Sequence, residues 1–211
     1  MKKFLIAVAT AFVAMTASAS NVEKIQFANA GQLTLGAMVG LPHHTPDANM
    51  PAVSIDGMIG LKDGFINTKT FGQNGAIDLG VYVGFCQYGW SSDIDKWSFW
   101  NLPIAVRSGF HWEFVKNLDV YAGFQAGIAI EHGMYKIKID GANDDRDGKG
   151  YVGGIFGMYS GAKWYFTDAF GVKLEWSSDW INCHGHQDRG HHPAGWGNNM
   201  PPVSAGVTFK F

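Results

Sequence analysis

The amino-acid sequence predicts an all-β chain whose eight antiparallel strands close into an up-and-down transmembrane β-barrel. Three observations lead to this prediction. The chain begins with an export signal, its strand-like segments alternate between apolar and polar residues, and its last strand runs to a terminal aromatic, Phe211. Such alternation is typical of strands with one face against an apolar medium. No later apolar run reaches the ~20 residues of a transmembrane helix, so any membrane crossing must use strands closed into a barrel.

The first residues have the composition of a cleavable signal peptide. Two lysines precede an uncharged apolar run, and Ala17 and Ala19 occupy the small-residue positions before a cleavage site. We therefore predict three segments: a signal peptide at 1–19, a short periplasmic N-terminal segment at 20–31, and an outer-membrane β-barrel at 32–211.

The composition excludes some classes of function. Charged residues make up 16% of the chain, well below the roughly 25% of an average soluble domain. The formal net charge is −2, and no basic stretch suggests a nucleic-acid partner. The 28 glycines and 14% aromatic residues suit a crowded barrel interior with aromatic bands at its ends.

Eight segments carry the alternation, and none of them places a charged residue on its apolar face. A charge that faces lipid at mid-depth costs about 2–4 kcal/mol, so this absence indicates a lipid-facing surface. A soluble lipocalin-like barrel would show the inverse arrangement. In chain order the segments are 32–41, 53–61, 77–86, 104–113, 118–131, 151–166, 170–179 and 203–211.

The connections between these segments alternate in length, as in outer-membrane barrels. The short turns at 115–117 and 167–169 predict the periplasmic end of the barrel. The long polar connections predict the extracellular end, and they cover 42–52, 87–101, 132–150 and 181–202.

The connection at 62–75 is too long for a periplasmic hairpin. Either the second and third strands extend beyond the membrane there, or Phe65–Phe71 forms an additional strand. The second option, with Val22–Phe27 as a further strand, gives a ten-stranded alternative to the eight-stranded barrel.

Aromatic residues concentrate at both predicted ends of the strands, which indicates two interfacial girdles. The periplasmic set is Trp112, Phe114, Trp164, Phe166, Phe170 and Phe211. The outer set is Tyr88, Trp90, Trp97, Phe99, Trp100, Trp180 and Trp196.

Three parts of the chain resemble the small outer-membrane β-barrel proteins of the OmpX and opacity-protein type, in the form common among Bacteroidetes. These parts are Asn117–Gly123, Gly161–Asp168 with Phe170 and Gly171, and Gly206–Phe211. The resemblance implies an eight-stranded barrel in the outer membrane of a Gram-negative bacterium, with both termini periplasmic. It also implies insertion by the barrel-assembly machinery, which would read the terminal aromatics Phe209 and Phe211.

Strand parity directs acidic and basic residues together into the predicted lumen. An eight-stranded barrel has an interior just wide enough for side chains to fill, as in the small outer-membrane barrels that this chain resembles. Opposite charges in so narrow a space would pair, forming a polar plug; a narrow water-lined channel is the alternative. The plug residues are Asp78, Arg107, Glu131, Lys163, Lys173 and Glu175.

The last long connection contains a cluster of histidines. Neutral imidazole binds zinc, copper and nickel, so a divalent-metal site is one hypothesis, although the spacing matches no structural zinc motif. An adventitious or pH-responsive cluster is the other interpretation. The candidate ligands are His184, His186, His191 and His192.

The two cysteines, Cys86 and Cys183, both fall at outer strand ends. An even cysteine count in an exported protein suggests a disulfide between them. They belong to strands three and seven, which lie nearly opposite in an eight-stranded barrel, whereas a bridge needs Cα atoms within about 7 Å. The disulfide and the two separate thiols therefore both stay open.

We expect a small closed barrel, monomeric, that contributes to envelope structure and presents its loops for adhesion-like surface contact. Its partners would be outer-membrane lipid and lipopolysaccharide. The alternatives are a ligand- or metal-binding surface protein that uses the histidine-rich loop, and a narrow channel.

No enzymatic activity is expected, because the rim residues Ser177, Ser178, Asp179 and Asp188 and the nearby histidines show no spacing typical of a catalytic triad. No cofactor is expected.

Overall fold

In the computed structural model, the described part of the chain contains nine β-strands, which make up most of it. They are β1 (Leu33–Leu41), β2 (Ala48–Thr68), β3 (Gly72–Ser91), β4 (Asp95–Val115), β5 (Leu118–Ile139), β6 (Ala142–Asp147), β7 (Tyr151–Tyr165), β8 (Phe170–Asn182) and β9 (Val203–Lys210). The described part of the chain contains no helix that could cross a membrane. The structure describes residues 24–41, 48–91, 95–139, 142–147, 150–182 and 203–211.

Eight of these strands close into one antiparallel ring. Neighbouring strands pair from β1 through β5, then β5 pairs with β7, and β7, β8 and β9 follow in order. The first and last strands complete the ring, with Thr34 opposite Lys210 and Leu41 opposite Val203. β6 stands outside the ring and pairs only with the end of β5. The predicted eight-stranded barrel is therefore confirmed.

The ten-stranded alternative is wrong. Phe65 lies within β2, which runs to Thr68, and β3 begins at Gly72, so the long connection is an extended hairpin with a short turn. The N-terminal segment contributes only an isolated bridge between Lys24 and Gln73. The pairing of β2 with β3 continues past Ile59, the residue opposite the start of β1, as far as Thr68 and Gly72, with register shifts between Gly60 and Lys62 and between Asp63 and Ile66.

Two of the predicted extracellular loops are in large part strand. β3 continues to Ser91 and β4 begins at Asp95, so most of 87–101 is paired backbone. In the same way β5 continues to Ile139 and forms a hairpin with β6. The alternating pattern weakens where strands leave the membrane, because no apolar medium then selects one face.

Both described chain ends lie at one end of the barrel, which we call the terminal end; the opposite end is the loop end. The amide of Phe211 donates to the carbonyl of Leu33 over 2.8 Å, which fixes this common position. The turn at Lys116 and Asn117 also lies here, and Asn117 adopts a left-handed conformation (φ 71°) that asparagine tolerates well. Tight turns thus gather at the terminal end, as their lengths predicted.

The two faces of the barrel strands have opposite character, as the alternation predicted. Large apolar side chains point outward and stay exposed: Val81 and Val106 are each 55% exposed and Phe124 is 58% exposed. Alternate residues point inward, and they include the buried charged residues described below. An apolar exterior around a polar interior is the arrangement of a barrel that sits in lipid.

Aromatic side chains form a band around the terminal end. Phe71 packs edge-on against Trp112 and Phe114, with ring centroids 5.8 and 6.0 Å apart. On the other side of the ring, Phe170 lies 5.3 Å from Phe209. Within the predicted girdle, the ring centroids of Trp112 and Phe114 lie 6.4 Å apart and those of Phe166 and Phe170 lie 6.2 Å apart.

Candidate functional site

The centre of the barrel is filled by a set of buried polar side chains from six strands, which we call the lumen network. Every member is at most 5% exposed. Strand alternation aims these side chains inward, and the small bore brings opposite sides of the ring within hydrogen-bonding distance. Its members are Asp56 of β2, Asp78 of β3, Arg107 and His111 of β4, Asp119 and Tyr121 of β5, Lys163 of β7, and Lys173 and Glu175 of β8.

Arg107 crosses the barrel to reach the opposite wall. Its Nη2 donates to Oε1 of Glu175 over 2.8 Å, and its Nε donates to Oε1 of Gln125 over 2.6 Å. The guanidinium also lies between two rings, 4.2 Å from the centroid of Tyr82 and 4.3 Å from that of Tyr159. Cation–π contacts of this kind strengthen when water is excluded. Arg107 of β4 therefore contacts side chains from four other strands, β3, β5, β7 and β8, at the centre of the bore.

Lys173 makes the second connection across the barrel. Its Nζ lies 2.8 Å from Oδ1 of Asp56 and 3.1 Å from Oε2 of Glu175. The hydroxyl of Tyr121 donates to the same Oε2 atom over 3.0 Å. Glu175 is thus held by a guanidinium, an ammonium and a phenol at once.

His111 links two carboxylates nearer the terminal end. Its Nε2 lies 2.8 Å from Asp78 Oδ2, and its Nδ1 lies 2.9 Å from Asp119 Oδ1. Ionised carboxylates only accept hydrogen bonds, so both ring nitrogens can donate here only as an imidazolium. Lys163 adds a further cation 3.4 Å from Asp119 Oδ2. With His111 protonated, the acidic and basic members of the lumen network balance.

Little free volume is left around these groups. The cavity among Asp56, Arg107, His111 and Tyr159 measures about 10 Å³, close to the volume that one water molecule needs. Glycine makes this density possible: a Cβ at Gly109 would lie 2.9 Å from Tyr159 Oη and 3.0 Å from Asp78 Oδ1. At the level of the lumen network, this cavity therefore has room for about one water molecule and not for a continuous column of water.

All six residues of the predicted plug lie inside the barrel. Asp78, Arg107, Lys163, Lys173 and Glu175 belong to the lumen network, whereas Glu131 lies farther toward the loop end, where its backbone pairs with Asn101. Sequence reasoning omitted Asp56, His111 and Asp119 from the plug, although alternation placed each on the polar face. The sequence pattern shows which side chains point into the lumen, but it does not show which of them meet across the bore.

Several other predicted sites fall where the structure gives no description. Cys86 is buried, with its Sγ 3.9 Å from the carbonyl of Asn101, but Cys183 lies outside the described residues, so the disulfide stays a prediction. The four candidate metal ligands, His184, His186, His191 and His192, also lie outside them. Among the residues that the structure does describe, no cluster of three or more histidine, cysteine or acidic side chains could hold a metal ion.

Two other sets of predicted residues can be placed in part. Ser177 is buried in β8 at a lumen-facing position, and Ser178 follows it, whereas the histidines and Asp188 weighed with them for catalysis are not described. At the chain terminus, Phe209 and Phe211 are 42% and 70% exposed. A role of these two aromatics in insertion stays a prediction.

The closed ring of eight strands, its apolar exterior and its polar, filled interior together decide the architecture. This is the fold of a small outer-membrane β-barrel. The exposed apolar residues form the lipid-facing surface of that barrel, and the lumen network is its interior.

The chain is similar to several solved outer-membrane proteins. With Ail, the attachment invasion locus protein of Yersinia pestis, it shares 11% identity at a TM-score of 0.39, over 86% of this chain and 99% of that one. With the N-terminal β-barrel domain of Pseudomonas aeruginosa OprF, it shares 14% identity at a TM-score of 0.37, over 86% and 98%. With Neisserial surface protein A, it shares 12% identity at a TM-score of 0.34, over 85% and 95%.

No protein-family model matches the chain, and no curated protein matches it by sequence. The small outer-membrane β-barrel fold that the sequence resemblance implied is the fold of this chain. The narrower likeness to the form found among Bacteroidetes has no support in these comparisons.

Proposed function

We propose that this protein is a closed barrel of the Gram-negative outer membrane that stabilises the envelope and presents its loop end for surface contact. In this proposal the terminal end faces the periplasm. The observation that carries the proposal is the filled bore at the level of the lumen network, where Arg107, Lys173 and His111 are each paired with carboxylates and the cavity among the side chains measures about 10 Å³.

The lumen network supports a closed state rather than a channel. An ion entering the bore would have to separate buried pairs such as Arg107 and Glu175, which are 1% and 3% exposed. Breaking one partner away from a buried pair costs about 3–5 kcal/mol, and several pairs lie in succession along the bore. A fixed plug therefore explains the geometry better than a gated conductance does.

The loop end supports the surface-contact part of the proposal. Three strands of the ring, β3, β4 and β5, extend past the level at which β1 ends, and β6 pairs with the end of β5. This extension is a paired sheet, in which Ser91 lies opposite Lys96, Lys96 opposite Lys136, and Lys136 opposite Asp145. A paired extension on one side of the mouth provides a firm surface outside the membrane.

The remaining partners follow from the proposed location. The exposed apolar belt would contact outer-membrane lipid and lipopolysaccharide, the barrel-assembly machinery would insert the chain, and the barrel would work as a monomer. A divalent metal on the histidine-rich loop stays a separate hypothesis, and catalysis forms no part of the proposal.

We expect the purified protein to show no steady conductance in planar bilayers, because the lumen network leaves no water path. The measurement is single-channel recording at symmetrical salt. A porin of about 16–18 strands, which has an open aqueous channel, is reconstituted in parallel as a positive control. Reproducible unitary steps from the folded barrel would reject the closed state and favour the narrow channel.

A further inference from the structure

Residues 24–31, which precede the first strand, lie across the terminal end of the barrel. Ile25 and Phe27 are each only 1% exposed, although both belong to a segment with almost no secondary structure of its own. Ile25 packs with Ala28 and with Ala76 of β3, and Ala76 is completely buried. These apolar side chains cover the lumen below the lumen network.

Hydrogen bonds fix this segment to one side of the ring. The amide of Ile25 donates to the carbonyl of Gln73 in β3 over 2.8 Å. The next amide, of Gln26, donates to Oε2 of Glu113 in β4 over 2.9 Å, and Glu113 is itself fully buried. At the edge of the mouth, Lys24 forms an ion pair with Asp63 of β2 at 3.3 Å.

Aromatic and cationic contacts fix the same segment to the opposite side. The ring of Phe27 stacks on that of Tyr165 in β7, with centroids 4.8 Å apart and planes 11° from parallel. The ammonium of Lys210 in β9 lies 5.1 Å from the Phe27 centroid and 4.9 Å from the Tyr165 centroid. It also lies 3.4 Å from the carbonyl oxygen of Gln26. The segment therefore contacts strands on both sides of the bore.

The barrel wall is shaped to admit this segment. Gly60 of β2 faces inward beside it, and a Cβ there would collide with the backbone carbonyls of Asn29 and Ala28. The amide of Gly31 donates to the carbonyl of Gly60, and the amide of Gly60 donates to the carbonyl of Gln32. These two hydrogen bonds hold the chain against β2 just before β1 begins. Any larger residue at position 60 would push the segment out of the bore.

We propose that residues 24–31 form a periplasmic stopper, a second seal that keeps water out of the terminal end and ties β2, β3 and β4 to β7 and β9. The inference deepens the proposed closed barrel and rests on it, since a second seal has a purpose only in a barrel that stays shut. The stopper binds no outside ligand; its occupant is the chain's own N-terminal segment.

The test is hydrogen–deuterium exchange by NMR on the folded protein in detergent micelles. Three amides of the native protein serve as reporters. The backbone amides of Ile25 and Gln26 report whether the segment is docked, and the side-chain amide of Asn74 reports whether water reaches the lumen. Asn74 is fully buried and its Nδ2 donates to the carbonyl of Glu113 over 2.7 Å. In the wild type we expect all three to exchange slowly. In Phe27→Ala, loss of the stacking contact should speed exchange at all three by about tenfold or more.

Phe166→Ala is the matched control, because Phe166 lies near the same end but is 60% exposed on the outward face. It should leave all three reporters unchanged. Gly60→Val is a second variant that displaces the stopper without changing the stopper itself, and it should reproduce the effect of Phe27→Ala.

Unprotected Ile25 and Gln26 amides in the wild type would overturn the stopper outright, whether or not the variants fold. Slow Asn74 exchange in a folded Phe27→Ala barrel whose Ile25 and Gln26 amides exchange fast would also overturn it, because water would then stay out although the segment has left its place. Either result is distinct from conductance of the wild-type barrel, which would reject the proposed closed state instead.

Discussion

Replacing Arg107 by leucine is expected to lower the free energy of unfolding by about 3–5 kcal/mol. The substitution removes the donors to Glu175 and Gln125 and the cation between the rings of Tyr82 and Tyr159. Glu175 would keep only Lys173 and Tyr121 as partners in a site that is 3% exposed. A carboxylate left short of partners away from water is strongly destabilising, which is why the predicted effect is large.

The measurement is equilibrium denaturant unfolding of the barrel in phospholipid vesicles. Lys116→Ala serves as the control, because Lys116 is an exposed cation in the turn between β4 and β5. The double variant Arg107→Leu with Glu175→Leu should recover part of the loss, since it removes both members of the pair. A single variant as stable as the control would mean that the lumen network does not hold the barrel together.

The second large effect is expected at the lipid-facing surface. Val81→Lys should destabilise the barrel by about 2–4 kcal/mol, because Val81 points outward at the middle of β3 and a lysine there would meet hydrocarbon. Val81 pairs with Gly57 on one side and Val106 on the other, and the two valines are each 55% exposed. The same vesicle unfolding experiment measures the change.

Leu61→Lys is the matched control for depth. Leu61 is 53% exposed on the same outward surface. It lies two residues beyond Ile59, which pairs with the first residue of β1 at the terminal end of the barrel. A lysine near this membrane boundary costs only about 0–1 kcal/mol. Equal effects at the two positions would mean that the exposed apolar residues do not face a membrane interior.

Much of the fold could be predicted from the sequence because lipid on one side and a crowded lumen on the other impose a period of two on every strand. That constraint acts at Val81 as it does at Phe124, so the pattern alone gives the strands, their faces and the closed ring. Beyond the membrane this constraint no longer applies, because no apolar medium faces one side of the strand. There the sequence left the region around Phe65 open between an extended hairpin and an extra strand, and it described the strand ends near Ser91 and Ile139 as loops.

The candidate site was less predictable, because its contacts join residues far apart in the chain. Alternation directs Asp56 and Lys173 into the lumen, but their 2.8 Å ion pair depends on the register of the whole ring. His111 carried no local signal of its two aspartate partners. Residues 24–31 were expected as part of a short periplasmic segment or, in the ten-stranded alternative, in part as a strand, and neither expectation placed Ile25 and Phe27 inside the barrel mouth.

The most direct test of the central claim, a lipid-facing closed barrel, compares the electrophoretic mobility of boiled and unboiled protein taken from the outer-membrane fraction. The account predicts a clear mobility shift on heating, together with a strand-rich circular dichroism spectrum of the unboiled form in detergent. A protein recovered in the soluble fraction, with the same mobility before and after boiling, would contradict it, because the apolar faces would then have to point away from lipid.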